Sequence, residues 1–99
     1  MYINAIRHYL PQTIVSNEHY TNLNGLTDDW IFKRSGIRKR TKAGADENTN
    51  TMSIDAIKSA TGILPYNLSD VDLIVGATYT PYDTVGTLAH AVQSHFNIH

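Results

Sequence analysis

Ninety-nine residues, 41% apolar and 17% charged, allow a single domain with one modest core. The mean hydropathy of -0.28 is too apolar for a disordered tail and too polar for a membrane span, and no stretch approaches the roughly 20 apolar residues such a span needs. Cysteine is absent, which excludes disulfides, thiolate metal sites and a cysteine nucleophile within these residues. The opening MYINAIRHYL lacks the basic start and apolar core of a secretory signal, and the net charge of -1 points to neither nucleic acid nor membrane. The expectation is a soluble cytoplasmic α/β domain.

The small net charge conceals a segregation. Residues 1–42 carry net +4 and residues 43–99 net -5, and six of the eight basic residues fall between Lys33 and Lys42. Such a density draws a phosphate-bearing partner, or else forms a solvated loop.

In chain order, Tyr2–Leu10 mixes apolar and polar residues ahead of Pro11 and is expected as a strand. Ser16 can cap a short helix ended by Asn24-Gly25. A firmer helix is predicted over Asp28–Ser35. Thr27 is its N-cap, Asp28-Asp29 complement the positive end of the dipole, Lys33-Arg34 the negative end, and Gly36 follows as C-cap. Trp30 and Arg34, at i and i+4, then share one face. Gly36–Thr41 reads as an extended basic stretch and Ala43–Asn50 as a polar loop.

Thr49 or Asn50 is expected to cap the next helix, whose apolar stripe is Met52, Ala56, Ile57 and Ala60 before Gly62. After a turn at Pro65–Ser69, Val71–Ala77 is nearly continuous in apolar residues, the pattern of a strand covered on both faces. Asp83 or Thr84 should cap a last helix with Val85, Leu88, Ala89, Val92 and Phe96 at helical spacing. Helix, strand and helix make most of a parallel α/β unit, so the chain reads as an amino-terminal piece of a longer protein.

An indole offers a nucleobase a flat face, and a guanidinium one turn along offers paired donors to phosphate, so Trp30 and Arg34 suit a nucleotide-containing cofactor such as coenzyme A. The bland alternative buries Trp30 and leaves Arg34 to the helix terminus. His90 and His95 are five apart on one helix, a poor spacing for a shared metal, and His8, His19 and His99 have no evident partner. No metal site and no catalytic residue is expected here. Hydrolase, zinc-protease, P-loop and dinucleotide-binding patterns are missing.

The string LTDDWIFKRSGIRKRT, and within it Trp30-Ile31, Arg34-Ser35-Gly36-Ile37 and Arg40, resembles a segment of β-ketoacyl-acyl carrier protein synthase III, a condensing enzyme of the thiolase fold. The opening strand to Pro11, the Glu47-Asn48 loop, the strand Asp72–Thr78 and a helix carrying Gln93 follow in family order. The resemblance implies an incomplete thiolase-like fold, a mixed sheet with flanking helices, with residues 1–99 as the amino-terminal portion of the condensing domain. It implies initiation of fatty-acid synthesis, in which an acyl-coenzyme A primer is condensed with malonyl-acyl carrier protein by a homodimer. The catalytic cysteine, histidine and asparagine of the family would lie beyond His99, leaving this chain inactive alone and without a tightly bound cofactor.

Two roles transfer by the same resemblance. Trp30 matches the tryptophan that stacks on the coenzyme A adenine, and Arg34 the arginine at the same nucleotide end. Arg38 and Arg40 would add to the attracting field. Leu26 stands where a threonine is often found, with Thr27 one place off. Val85 stands where some members place a bulky aromatic, which suggests a primer longer or more branched than acetyl. The alternatives are a related synthase of secondary metabolism, of alkylresorcinol type, and a small module gripping nucleic acid through Lys33–Lys42. The acidic remainder and the lack of aromatics interleaved with the bases tell against the latter.

Overall fold

A computed structural model describes residues 1–99 as an α/β chain of four helices and one two-stranded sheet. The chain divides into two compact units, Leu10–Asp46 and a second made of Met1–Tyr9 with Glu47–His99.

In the Leu10–Asp46 unit, strand β1 (Thr13–Ser16) runs antiparallel to β2 (Lys39–Lys42), pairing Thr13 with Lys42 and Ser16 with Lys39. Between them lie helices α1 (Asn17–Asn24) and α2 (Asp28–Ser35). Their ends are set by local chemistry. Gly25 and Gly36 take φ of 72° and 70°, a left-handed backbone that a Cβ disfavours, and each amide turns back to the last carbonyls of its helix. At the start of α2 the Trp30 N–H donates to Thr27 Oγ1 at 3.2 Å. Ser16 precedes α1 in an extended conformation, but its side chain makes no capping bond.

In the other unit, α3 (Thr49–Thr61) packs on α4 (Leu88–Phe96), and the two buried apolar side chains, Val92 and Ile98, lie in and just after α4. The cap of α3 is Asn48, earlier than Thr49 or Asn50. Its side chain accepts from Asn50 and Thr51 N–H while Thr51 Oγ1 accepts from the Asn48 N–H, a reciprocal box that fixes the first turn. The last helix also begins later than expected, with Thr87 as cap, because His90 N–H donates to Thr87 Oγ1 while Asp83 turns its carboxylate to the Val85 amide. Val85 therefore lies outside the helix and is exposed. Gly76 lies against the start of α4: a Cβ there would stand 3.1 Å from Ala89 N and 3.3 Å from Leu88 Cβ.

Two expected strands are not formed. Tyr2–Leu10 and Val71–Ala77 enter no ladder, and Leu73 and Val75 are 77% and 81% exposed. A strand requires a neighbour for its backbone groups, and β1 and β2 are the only pair. The first strand instead falls at Thr13–Ser16, beyond Pro11, where Thr13, Ile14 and Val15 are β-branched.

Candidate functional site on helix α2

Helix α2 brings Trp30 and Arg34 together. The Arg34 guanidinium carbon lies 4.0 Å from the indole ring centroid, and the indole is 44% exposed. One turn of rise puts the two side chains on the same stripe, and the guanidinium plane is attracted by the negative face of the ring. The pair sets an aromatic ring and guanidinium N–H donors on one exposed stripe of the helix, a chemistry that suits a purine stacked on the free face of the ring and a phosphate near its edge.

Two further arginines of the basic stretch lie over aromatic rings. Arg38 is 3.9 Å from the Phe32 centroid and ion-pairs with Asp28; Arg40 is 4.6 Å from the Tyr20 centroid. Arg40 is half-buried. Its Nη2 donates to Asn17 Oδ1 at 2.9 Å, and its buried Nη1 has no hydrogen-bond partner. Arg40 thus belongs to the packing of this unit more than to its outer field, while Arg38 and Lys39 remain exposed.

Beneath this surface lies a residue that sequence reasoning passed over. Asn17 is 1% exposed, the most buried polar side chain of the chain. Its Nδ2 donates to Asp28 Oδ1 and to the Ile37 carbonyl, both at 2.7 Å, its Oδ1 accepts from Arg40, and its backbone N–H donates to Arg38 O at 3.1 Å. Two acceptors face the nitrogen and one donor faces the oxygen, so the network itself fixes the orientation of the amide. The sequence marks Asn17 only as the residue after a cap, because its partners lie 11, 20 and 23 positions away.

Thr27, one place from the expected threonine, has its oxygen engaged at the N-terminus of α2, and the Leu26 carbonyl accepts from the Thr21 hydroxyl. Elsewhere, the Tyr9 hydroxyl donates to Glu47 Oε1. That bond foremost, then burial and the nearby Glu47 and Asp55 charges, raises the Tyr9 phenol above its ordinary value. Asp83 is lowered by accepting from the Val85 and Gly86 amides. His90 Nδ1 lies 2.9 Å from Thr87 Oγ1, and the His95 ring stands edge-on to Phe96. No group of three or more histidines and acids is placed to hold a metal, and no helix is long and apolar enough to cross a membrane.

No family model matches the sequence. Among curated proteins, β-ketoacyl-[acyl-carrier-protein] synthase III of Ehrlichia ruminantium is 42% identical over 90 residues, and that of a Bradyrhizobium species is 38% identical over 91. A Bacillus cereus protein named β-ketoacyl-[acyl-carrier-protein] synthase III 2 is 35% identical over 96 residues. These alignments take in 91%, 92% and 97% of this chain but only 28%, 28% and 29% of the relatives' own length. Over nine-tenths or more of its residues the chain is therefore homologous to β-ketoacyl-[acyl-carrier-protein] synthase III, and it spans less than a third of such a protein.

Proposed function

We propose that these 99 residues form the coenzyme A-contacting, amino-terminal part of a β-ketoacyl-[acyl-carrier-protein] synthase III with a thiolase-like fold, acting in the cytoplasm as a homodimer. The whole enzyme condenses an acyl-coenzyme A primer with malonyl-acyl carrier protein to begin a fatty-acid chain. The observation that carries the reading is the stacked Trp30–Arg34 pair on an exposed helix face. With the guanidinium on one face of the indole, the adenine takes the other, and the donors of Arg34 remain one ring away for the phosphates. Base stacking of this kind is worth about 1–3 kcal/mol, so it contributes a substantial part of the nucleotide-end affinity.

By the resemblance the acyl carrier in the condensation is a cysteine, and this sequence contains none. The chain alone is therefore expected to bind coenzyme A without catalysing acyl transfer. Val85 is exposed and small; by the resemblance it matches a position that some members fill with a bulky aromatic beside the acyl pocket, and we infer a primer longer or more branched than acetyl.

Calorimetric titration with coenzyme A tests the assignment. Trp30→Ala should weaken binding by about tenfold or more, the equivalent of about 1.4 kcal/mol, and Arg34→Ala by a similar factor. Unchanged affinity in both variants would refute the coenzyme A role. Acyl transfer measured with the 99-residue chain alone would refute its catalytic incompleteness.

A further inference from the structure

We propose that Asn17 is the positioning residue of the Trp30–Arg34 surface. This inference rests on the coenzyme A reading above. Helix α2 has no buried residue of its own, so bonds at its ends weigh heavily in its orientation. Asn17 holds both ends at once. One amide proton goes to Asp28 in the first turn of α2, the other to the Ile37 carbonyl just past the Gly36 cap. The amide oxygen meanwhile takes Arg40 of β2, and the backbone N–H takes the Arg38 carbonyl beside it. The helix that displays the indole is thereby tied to the start of α1 and to the strand that follows.

The arrangement is sensitive because it is buried. An amide with three side-chain bonds inside a 1% exposed site cannot be exchanged for water when it is removed. Without it, Arg40 Nη2 joins the already unpaired Nη1 as a second orphaned donor. Asp28 would retain only Arg38. Both ends of α2 would loosen together, and the stacked pair would sample orientations in which base and phosphate cannot be met simultaneously.

Trp30 is the only tryptophan, so its fluorescence reports on the surface directly. Coenzyme A is titrated into the full 99-residue chain and into Asn17→Ala, Asn17→Asp and Trp30→Ala, with binding followed by calorimetry and folding by far-ultraviolet circular dichroism. Asn17→Ala should keep its helical signal, lose affinity by about tenfold, and show lower Trp30 fluorescence anisotropy, since the bonds to Asp28, Ile37 and Arg40 are lost together. Asn17→Asp keeps the size and the Arg40 contact but sets a carboxylate against Asp28 and the Ile37 carbonyl, and should lose as much.

Affinity and anisotropy unchanged in a folded Asn17→Ala or Asn17→Asp chain would overturn the positioning role. Loss of helical signal in both variants would overturn it in favour of a purely structural role. A parent chain that does not bind coenzyme A, or a Trp30→Ala chain that binds as the parent does, would instead overturn the coenzyme A reading on which the inference stands.

Discussion

Charge on a single side chain is most informative at Tyr9. Its neutral phenol donates to Glu47, whereas the phenolate could not donate and would be repelled by both Glu47 and Asp55. The folded state therefore holds the proton more tightly than the unfolded one. The stability linked to that bond is fully present below the ordinary tyrosine value of 10.0 and is lost as pH rises through the raised folded value. Following the ring resonances of Tyr9 against pH should give a midpoint above 10.0 in the parent chain and a lower one in Glu47→Gln, which keeps an acceptor but removes the charge. Identical midpoints would show that the Glu47 charge is not what shifts the phenol. Asp83 carries the opposite sign. Its lowered value favours the fold above the unfolded carboxylate range, and that contribution fades as pH falls through the folded value.

At the scale of elements, helix ends separate bonds that hold from residues that merely occupy a cap position. Thr27 and Ser16 both precede helices in extended backbone, but only Thr27 accepts from its helix. Thr27→Ala should therefore lower stability by about 1 kcal/mol in urea titrations followed by circular dichroism, while Ser16→Ala should change it by less than about 0.5 kcal/mol. Gly36→Ala, forced to φ of 70°, should cost about 1–2 kcal/mol. Equal effects at Thr27 and Ser16 would mean that propensity, not the Oγ1 bond, sets these ends.

Helix α2 was legible in the sequence to the residue, from Thr27 through Gly36, because caps, terminal charges and the i, i+4 pair are all written within one short window. Asn17 was not. Its importance comes from Asp28, Ile37 and Arg40 arriving around it, which no local pattern encodes. The strands expected at Tyr2–Leu10 and Val71–Ala77 failed for a related reason. Apolar patterning states that a segment can be covered, not that a partner is present to pair with it. Thr87 was missed as a cap because Asp83 and Thr84 offered equally good chemistry four and three residues earlier.

Taken whole, the molecule buries little. Val92 and Ile98 are its only buried apolar side chains, whereas Ile3, Ile6, Leu73 and Val75 are each more than three-quarters exposed. The last two lie on a segment whose backbone joins no sheet, so it offers apolar surface and unpaired N–H and C=O groups together, the combination that favours edge-to-edge association. A net charge of -1 and an isoelectric point near 6.5 supply little repulsion to oppose it near neutral pH. The chain on its own should therefore sediment with a mass that rises with concentration, most steeply near pH 6.5. Leu73→Lys and Val75→Lys should reduce that association, since a charge on each exposed position blocks stacking without removing any buried contact. A monomer across the whole concentration range would mean that these side chains tolerate water as they stand. Association unchanged by both lysines would place the contact elsewhere, with the Ile3 and Ile6 segment the next to substitute.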